Sequence, residues 1–325
     1  MSRLEKTTGA RSVLLLLLIT VLLRFGITFG IDLLADVEAL NQPEIYYAFT
    51  MLQEFIMFGI PLFLFIYLFR PRYTPILKKQ MAYPSLTAAL RTVLAAVIGA
   101  WALELYISLW SLLLEALKIQ LWVPDVALPG NVAQIILAVT AVGITPAILE
   151  ELLFRGVVLE GLKKELSQKA ALWLTALLFA FMHGSLIGLP AHIVLGLVIT
   201  LLAMRQNNLQ LPMLYHFSHN AASLLISLFF RNVMAGVDVQ AQAAQTIQGA
   251  SMLPAVMSVL SMALMATFAF WLLIRPLLAL PAAQKAASAP AEYPMPRRGR
   301  STVIALTAVL LLLMLPWYVL NFFPA

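Results

Sequence analysis

PAILEELLFRG, residues 146–156, places two adjacent glutamates, Glu150 and Glu151, and one arginine, Arg155, inside an apolar run covering 131–160. An apolar stretch of about 20 residues is what a bilayer core demands of a helix. Ionisable groups within such a stretch are expensive, so each of these three calls for a reason. The composition around them settles the class. Of 325 residues, 62% are hydrophobic and only 11% charged, with a mean hydropathy of +0.92. A soluble domain carries roughly a quarter charged residues, so an ordinary globule is excluded. The chain reads as all-α, a polytopic transmembrane bundle of about eight or nine helices.

Working outward from 131–160, further apolar spans fall near 12–31, 47–69, 90–115, 170–186, 190–204, 211–229, 252–274 and 302–322. The first follows Arg3, Lys6 and Arg11 but shows no clear small-residue cleavage site, and it reads as a retained helix. The stretch around 170–204, joined by Gly184, Gly188 and Pro190, is either two tight helices or one re-entrant pair. Gly184-x-x-x-Gly188 reads as a close helix approach. Residues 232–250, rich in Ala and Gln, read as an external loop or short surface helix. Residues 280–300, rich in Ala and Pro, read as a cytoplasmic linker. Three regions follow: N-terminal helices over 1–129, a core over 130–229, and C-terminal helices over 230–325 that include the linker.

Charge sets the orientation. A cytoplasmic N-terminus puts 17 of the 21 Lys and Arg on that side, whereas Asp32, Asp36, Asp125 and Asp238 all fall outside. The reading is an integral protein of a bacterial inner membrane. The net charge of +6 is not gathered into one patch, which argues against a nucleic-acid partner. There are no cysteines, hence no disulfide, thiolate metal site or cysteine nucleophile.

All four histidines lie between positions 183 and 219. At 1.5 Å of rise per residue, Glu150 lies ~20 Å from Lys163 and His183 ~21 Å beyond Lys169. His216 and Asn220 lie ~17 and ~23 Å beyond Arg205. Three helices thus carry polar groups to a similar depth, as a shared buried site requires. Glu151 and Arg155 are four apart and can pair on one face. Glu150 is turned about 100° from Glu151, toward another neighbour. His216 and Asn220 share a face.

Hydrolysis of an amide suits these groups. Glu150 with His183 could hold and deprotonate a water. His216 and Asn220 could donate to the oxyanion, at ~3 kcal/mol per donor. Alternatively Glu150, His183 and His216 could ligate a divalent metal such as zinc. The spacing admits both, with no cofactor or with one metal. His192 and His219 read as packing or supporting residues. Glu54 and Glu104 lie in spans without matching partners and read as snorkelling or structural.

Glu150-Glu151-x-x-x-Arg155, Phe179-x-x-x-His183 and His216-x-x-x-Asn220 together resemble the CAAX-protease and bacteriocin-processing (CPBP, Abi-domain) group of intramembrane peptidases, the type II prenyl endopeptidases. All three motifs are complete and in order, over roughly 130–225. The resemblance implies that Glu150 and His183 activate water and that His216 and Asn220 stabilise the oxyanion. It also implies that Glu151 and Arg155 support them. The substrate would be a peptide or lipid-modified protein at the bilayer, a prenylated tail being the one that names the group. Two rivals stand beside the protease. A scaffold or peptide-immunity protein would be expected to lose a motif residue, and none is missing. A proton-coupled transporter commonly shows internal repeats, and none is visible.

Overall fold

The computed structural model describes residues 9–34, 42–69, 77–78, 80–119, 127–234, 253–279 and 297–320. Nine helices account for nearly all of them. They are α1 (Ala10–Leu34), α2 (Pro43–Leu68), α3 (Leu86–Ala116), α4 (Val132–Leu162), α5 (Gln168–Met182), α6 (Leu189–Gln206), α7 (Gln210–Met234), α8 (Leu253–Leu278) and α9 (Arg297–Leu320). Segments 232–250 and 280–300 lie outside the described residues, except that 232–234 finish α7 and 297–300 open α9.

Local sequence sets the helix ends. Ser85, Asn131 and Ser167 accept a hydrogen bond from the third residue of the helix that each precedes, namely α3, α4 and α5. Asn207 takes a left-handed conformation to end α6, at φ 46°. Stretch 170–204 resolves into two helices, α5 and α6, joined at Gly184. That glycine has φ 67°, a turn residue immediately after His183. Gly184 therefore ends a helix rather than packing one, which corrects the reading of Gly184-x-x-x-Gly188. The close approach falls at Gly196 on α6. A Cβ there would lie 2.9 Å from the Ala176 carbonyl oxygen of α5.

Among the described residues, six helices are long and apolar enough to cross a membrane: α1, α2, α3, α4, α6 and α8. The α5 helix and the Val303–Leu315 part of α9 are apolar but shorter. Large apolar side chains face outward, including Leu15, Ile19 and Leu22 on α1 and Phe268, Trp271 and Leu272 on α8. Such faces would aggregate in water and suit lipid. The chain is an all-α, polytopic integral membrane protein.

Helix α3 packs along α7 and α8, α5 along α6, and α1 along α9. Helix α4 lies among α1, α2 and α7, with Leu153, Phe154, Val157 and Val158 buried. It is not uniformly α-helical. Val139–Ile144 and Leu152–Val158 are π-helical and flank the α-helical turn Thr145–Glu151. Wide turns of this kind recur at functional sites. Pro146 has a local consequence as well. It has no N–H to give the Val142 carbonyl four residues back, so that oxygen is open to another donor.

Candidate active site

The two glutamates of α4 face different neighbours, as their angular offset requires. Glu151 Oε1 accepts from Arg155 Nη1 at 2.8 Å and lies 2.9 Å from His216 Nδ1 on α7. Both Glu151 and Arg155 are fully buried. Arg155 also donates through Nη2 to the Gly196 carbonyl and through Nε to Thr200 Oγ1, each at 3.2 Å, and its guanidinium lies 4.4 Å from the Phe179 ring centroid. One ion pair therefore ties α4 to α5, α6 and α7. A buried charge needs such a full set of partners.

Glu150 turns toward α5. Its Oε2 lies 4.0 Å from His183 Nε2, beyond direct hydrogen bonding, and has no hydrogen-bond partner. His183 Nδ1 contacts the Phe179 carbonyl at 2.8 Å. A carbonyl only accepts, so Nδ1 carries the proton and neutral His183 presents the Nε2 lone pair toward Glu150. Two hydrogen bonds of ~2.8 Å from one water span such a gap. Buried polar atoms left open in this way are uncommon and mark a place for a ligand or water.

Asn220 Nδ2 donates to the Val142 carbonyl at 2.8 Å, the oxygen that Pro146 leaves open. Its second N–H remains for another acceptor. Asn220 thus sits one turn beyond His216, toward the start of α4. Glu150, Glu151, Arg155, His183 and His216 come together directly, while Asn220 adjoins them through the π-helical stretch Val139–Ile144 of α4.

Among the described residues, no three or more His, Asp or Glu side chains are arranged to hold a metal ion. Glu150, His183 and His216 do not form such a group; the contact of His216 Nδ1 with Glu151 leaves Nε2 as its open ring nitrogen.

Three residues belong to the site's surroundings although their spacing does not mark them. His192 of α6 stacks on His183, with centroids 4.1 Å apart and rings inclined by 26°, and its Nδ1 is buried without a partner. Arg24 of α1 donates from Nη2 to the His183 carbonyl at 3.0 Å. Glu54 of α2, which by sequence reads as snorkelling or structural, ends the segment of α2 that packs against the Thr145–Glu151 turn of α4 and has a buried, unpartnered Oε2. The only sequence signal for Arg24 and Glu54 is that each is a lone charge in an apolar run.

A cavity of about 550 Å³ opens beside the site, between α3, α6 and α8. Leu103, Trp110, Val194 and Phe270 give it an apolar lining, and Tyr215, next to His216, contributes to its wall.

No curated protein and no solved structure matches the chain. Residues 132–222 match the family described as Type II CAAX prenyl endopeptidase Rce1-like. The match contains all three motifs and bears out the resemblance read from them. This segment, which runs from the start of α4 into α7, is similar to the Rce1-like, CAAX-type intramembrane endopeptidases.

Proposed function

We propose that the protein hydrolyses a peptide bond of a membrane-associated or lipid-modified peptide, with the attacking water activated by Glu150. The observation that carries this reading is the 4.0 Å gap between Glu150 Oε2 and His183 Nε2, with the carboxylate oxygen lacking any partner. A water in that gap donates one O–H to each group, so its lone pairs point away, toward a substrate carbonyl. As oxygen attacks the carbonyl carbon, Glu150 takes the water's proton. When the tetrahedral intermediate collapses and the C–N bond breaks, Glu150 returns that proton to the departing nitrogen.

His216 and Asn220 serve the oxyanion. With Nδ1 of His216 held by Glu151, Nε2 is the ring nitrogen left to face the oxyanion. Asn220 donates its second N–H. Preorganised donors of this kind act most strongly where water is excluded. Glu151 and Arg155 hold His216 and bind the helices together. The apolar cavity lined by Val194 and Phe270 receives the apolar part of the substrate, whether side chains or a lipid. The protein works in a bacterial inner membrane with its N-terminus in the cytoplasm, the side on which most Lys and Arg then fall, and the site is reached from the cytoplasmic half.

The test needs no prior substrate. Membrane and secreted peptides are compared between cells expressing the wild type and cells expressing Glu150→Ala at matched levels. Fragments that vanish with both Glu150→Ala and His183→Ala support the protease and name its substrate. Unchanged peptide profiles, with a wild-type phenotype that survives Glu150→Ala, would instead favour a scaffold. Cleavage by the purified protein is expected to persist in a strong zinc chelator, because the reading assigns activation of water to Glu150 and His183 alone.

A further inference from the structure

On α6, His192, Gly196 and Thr200 stand four residues apart and form one row along the helix. The Gly196 carbonyl and the Thr200 hydroxyl both accept hydrogen bonds from Arg155, which turns this row toward α4. A Cβ at Gly196 would also lie 3.1 Å from Phe179 Cδ1 of α5. One turn nearer the start of the helix, the same row presents the ring of His192 to that of His183, with centroids 4.1 Å apart and planes inclined by 26°. The Phe179 ring packs on His183 as well, at 4.6 Å and a steeper 57°. His192 is therefore the neighbour that lies flat against His183.

His183 needs such support. It follows Met182, the last residue of α5, and precedes the Gly184 turn, so no further helical turn covers it. The contact of Nδ1 with the Phe179 carbonyl anchors one edge of the ring. Rotation of an imidazole about its Cβ–Cγ bond is soft, and a tilt carries Nε2, on the other edge, away from Glu150. A flat ring at stacking distance resists that tilt. Gly188 makes room for it, since a Cβ there would lie 2.6 Å from His192 Cε1 and 3.0 Å from Nδ1. His192 Nδ1 is buried and has no hydrogen-bond partner among the described residues, so packing and not a bond from that atom seats the ring. We propose that His192 is a positioning residue, whose ring holds the plane of His183 so that Nε2 stays aimed across the gap at Glu150. It acts through His183 and touches no reacting atom. The apolar cavity is lined by Ala191, Val194, Leu195 and Val198, a different face of α6, so the ring can be changed without altering the cavity wall. This inference rests on the role given to His183 under Proposed function, and it makes α6 a fourth helix of the site.

The test is a set of variants of the purified full chain, assayed on a peptide that the cell comparison identifies as substrate. His192→Ala is expected to lower kcat about tenfold and to change KM by less than about twofold, because misplacing a reacting group falls on the chemical step. His192→Phe, which keeps a flat ring without nitrogens, is expected to bring kcat back to within about threefold of the wild type. An unchanged kcat in His192→Ala would overturn the proposal. So would a loss in His192→Phe as large as that in His192→Ala, which would assign the imidazole nitrogens a task of their own. Gly188→Ala disturbs the same ring from its other side. Its φ of −77° admits any residue, so the added methyl group acts by pushing His192. It should cost about tenfold in kcat alone and nothing further in the His192→Ala background, where there is no ring to push. Losses that multiply to about 100-fold in the double variant would sink the idea of a shared cause.

One reading needs no substrate. In protein carrying isotope-labelled histidine, the nitrogen resonances of His183, assigned by their loss in His183→Ala, report which ring nitrogen bears the proton. Wild type and His192→Phe are expected to show one species protonated at Nδ1, and His192→Ala a mixture of tautomers. Identical spectra in all three would count decisively against the proposal. Failure of the protease reading is distinguishable from failure of this one. In the first case wild type and Glu150→Ala give the same peptides, while the spectra still set His192→Ala apart. In the second the peptides differ, while the spectra coincide.

Discussion

The two faces of the α4 turn differ in how completely their polar groups are bonded. On one, Glu151 Oε1 joins Arg155 and His216, and Arg155 extends the network to Gly196 and Thr200. On the other, Glu150 Oε2 has no partner and looks across 4.0 Å at His183. Adjacent residues of one chemical type have thus been divided between holding the bundle together and leaving a buried carboxylate oxygen open. Their rotation about the helix axis makes the division, since side chains one residue apart cannot face the same neighbour.

The comparison breaks first if the two glutamates respond alike to the same substitution. Glu150→Gln is expected to reduce cleavage by about 1000-fold while leaving the thermal midpoint unchanged, because no formed bond is lost. Glu151→Gln is expected to destabilise the fold by ~3–5 kcal/mol, since it leaves Arg155 buried without its anion. Cleavage assays and thermal unfolding in the same detergent give both numbers. A stability loss at Glu150, or none at Glu151, would show that the faces were assigned the wrong way round.

The bonded face and the open face are not equally legible in the sequence. Glu150, His183 and His216 can be found because helical rise converts sequence distance from a charged loop into depth, and three helices give similar depths. The Glu151–Arg155 pair follows from its spacing of four. Arg24 and Glu54 cannot be found in this way. Each is alone in its helix, and no period says which face of a bundle it meets. The π-helical stretches of α4 have no sequence pattern of their own, and they hide the bond from Asn220 to Val142. Gly184 misleads because a glycine that ends a helix and one that packs against a neighbour look the same in a string of letters. What separates them is φ 67° at Gly184 and a backbone oxygen 2.9 Å from the would-be Cβ at Gly196.

Gly196 therefore offers a sharper probe of the bonded face. Gly196→Ala drives a methyl group against the Ala176 carbonyl, which is backbone and cannot swing aside. The expected cost is ~1–3 kcal/mol, as for overpacking in a core. Since Arg155 Nη2 bonds the Gly196 carbonyl, the strain reaches Glu151 and His216 before it reaches Glu150. Reduced stability with a comparatively small change in kcat is the expected pattern, read by thermal unfolding and cleavage kinetics on one preparation.

The smallest effect concerns Pro146 and Asn220. Pro146 deprives the Val142 carbonyl of a helical donor, and Asn220 supplies one from α7. Pro146→Ala returns an N–H to α4 and makes the carbonyl independent of Asn220. In that background Asn220→Ala should cost less stability than in the wild type, by about 1 kcal/mol, the net worth of one hydrogen bond. Its catalytic cost should remain, because the proposed donation to the oxyanion uses the other N–H. If Pro146→Ala abolished the stability and the activity effects of Asn220→Ala together, Asn220 would be a fastener of α4 and nothing more. The oxyanion would then rest on His216 alone.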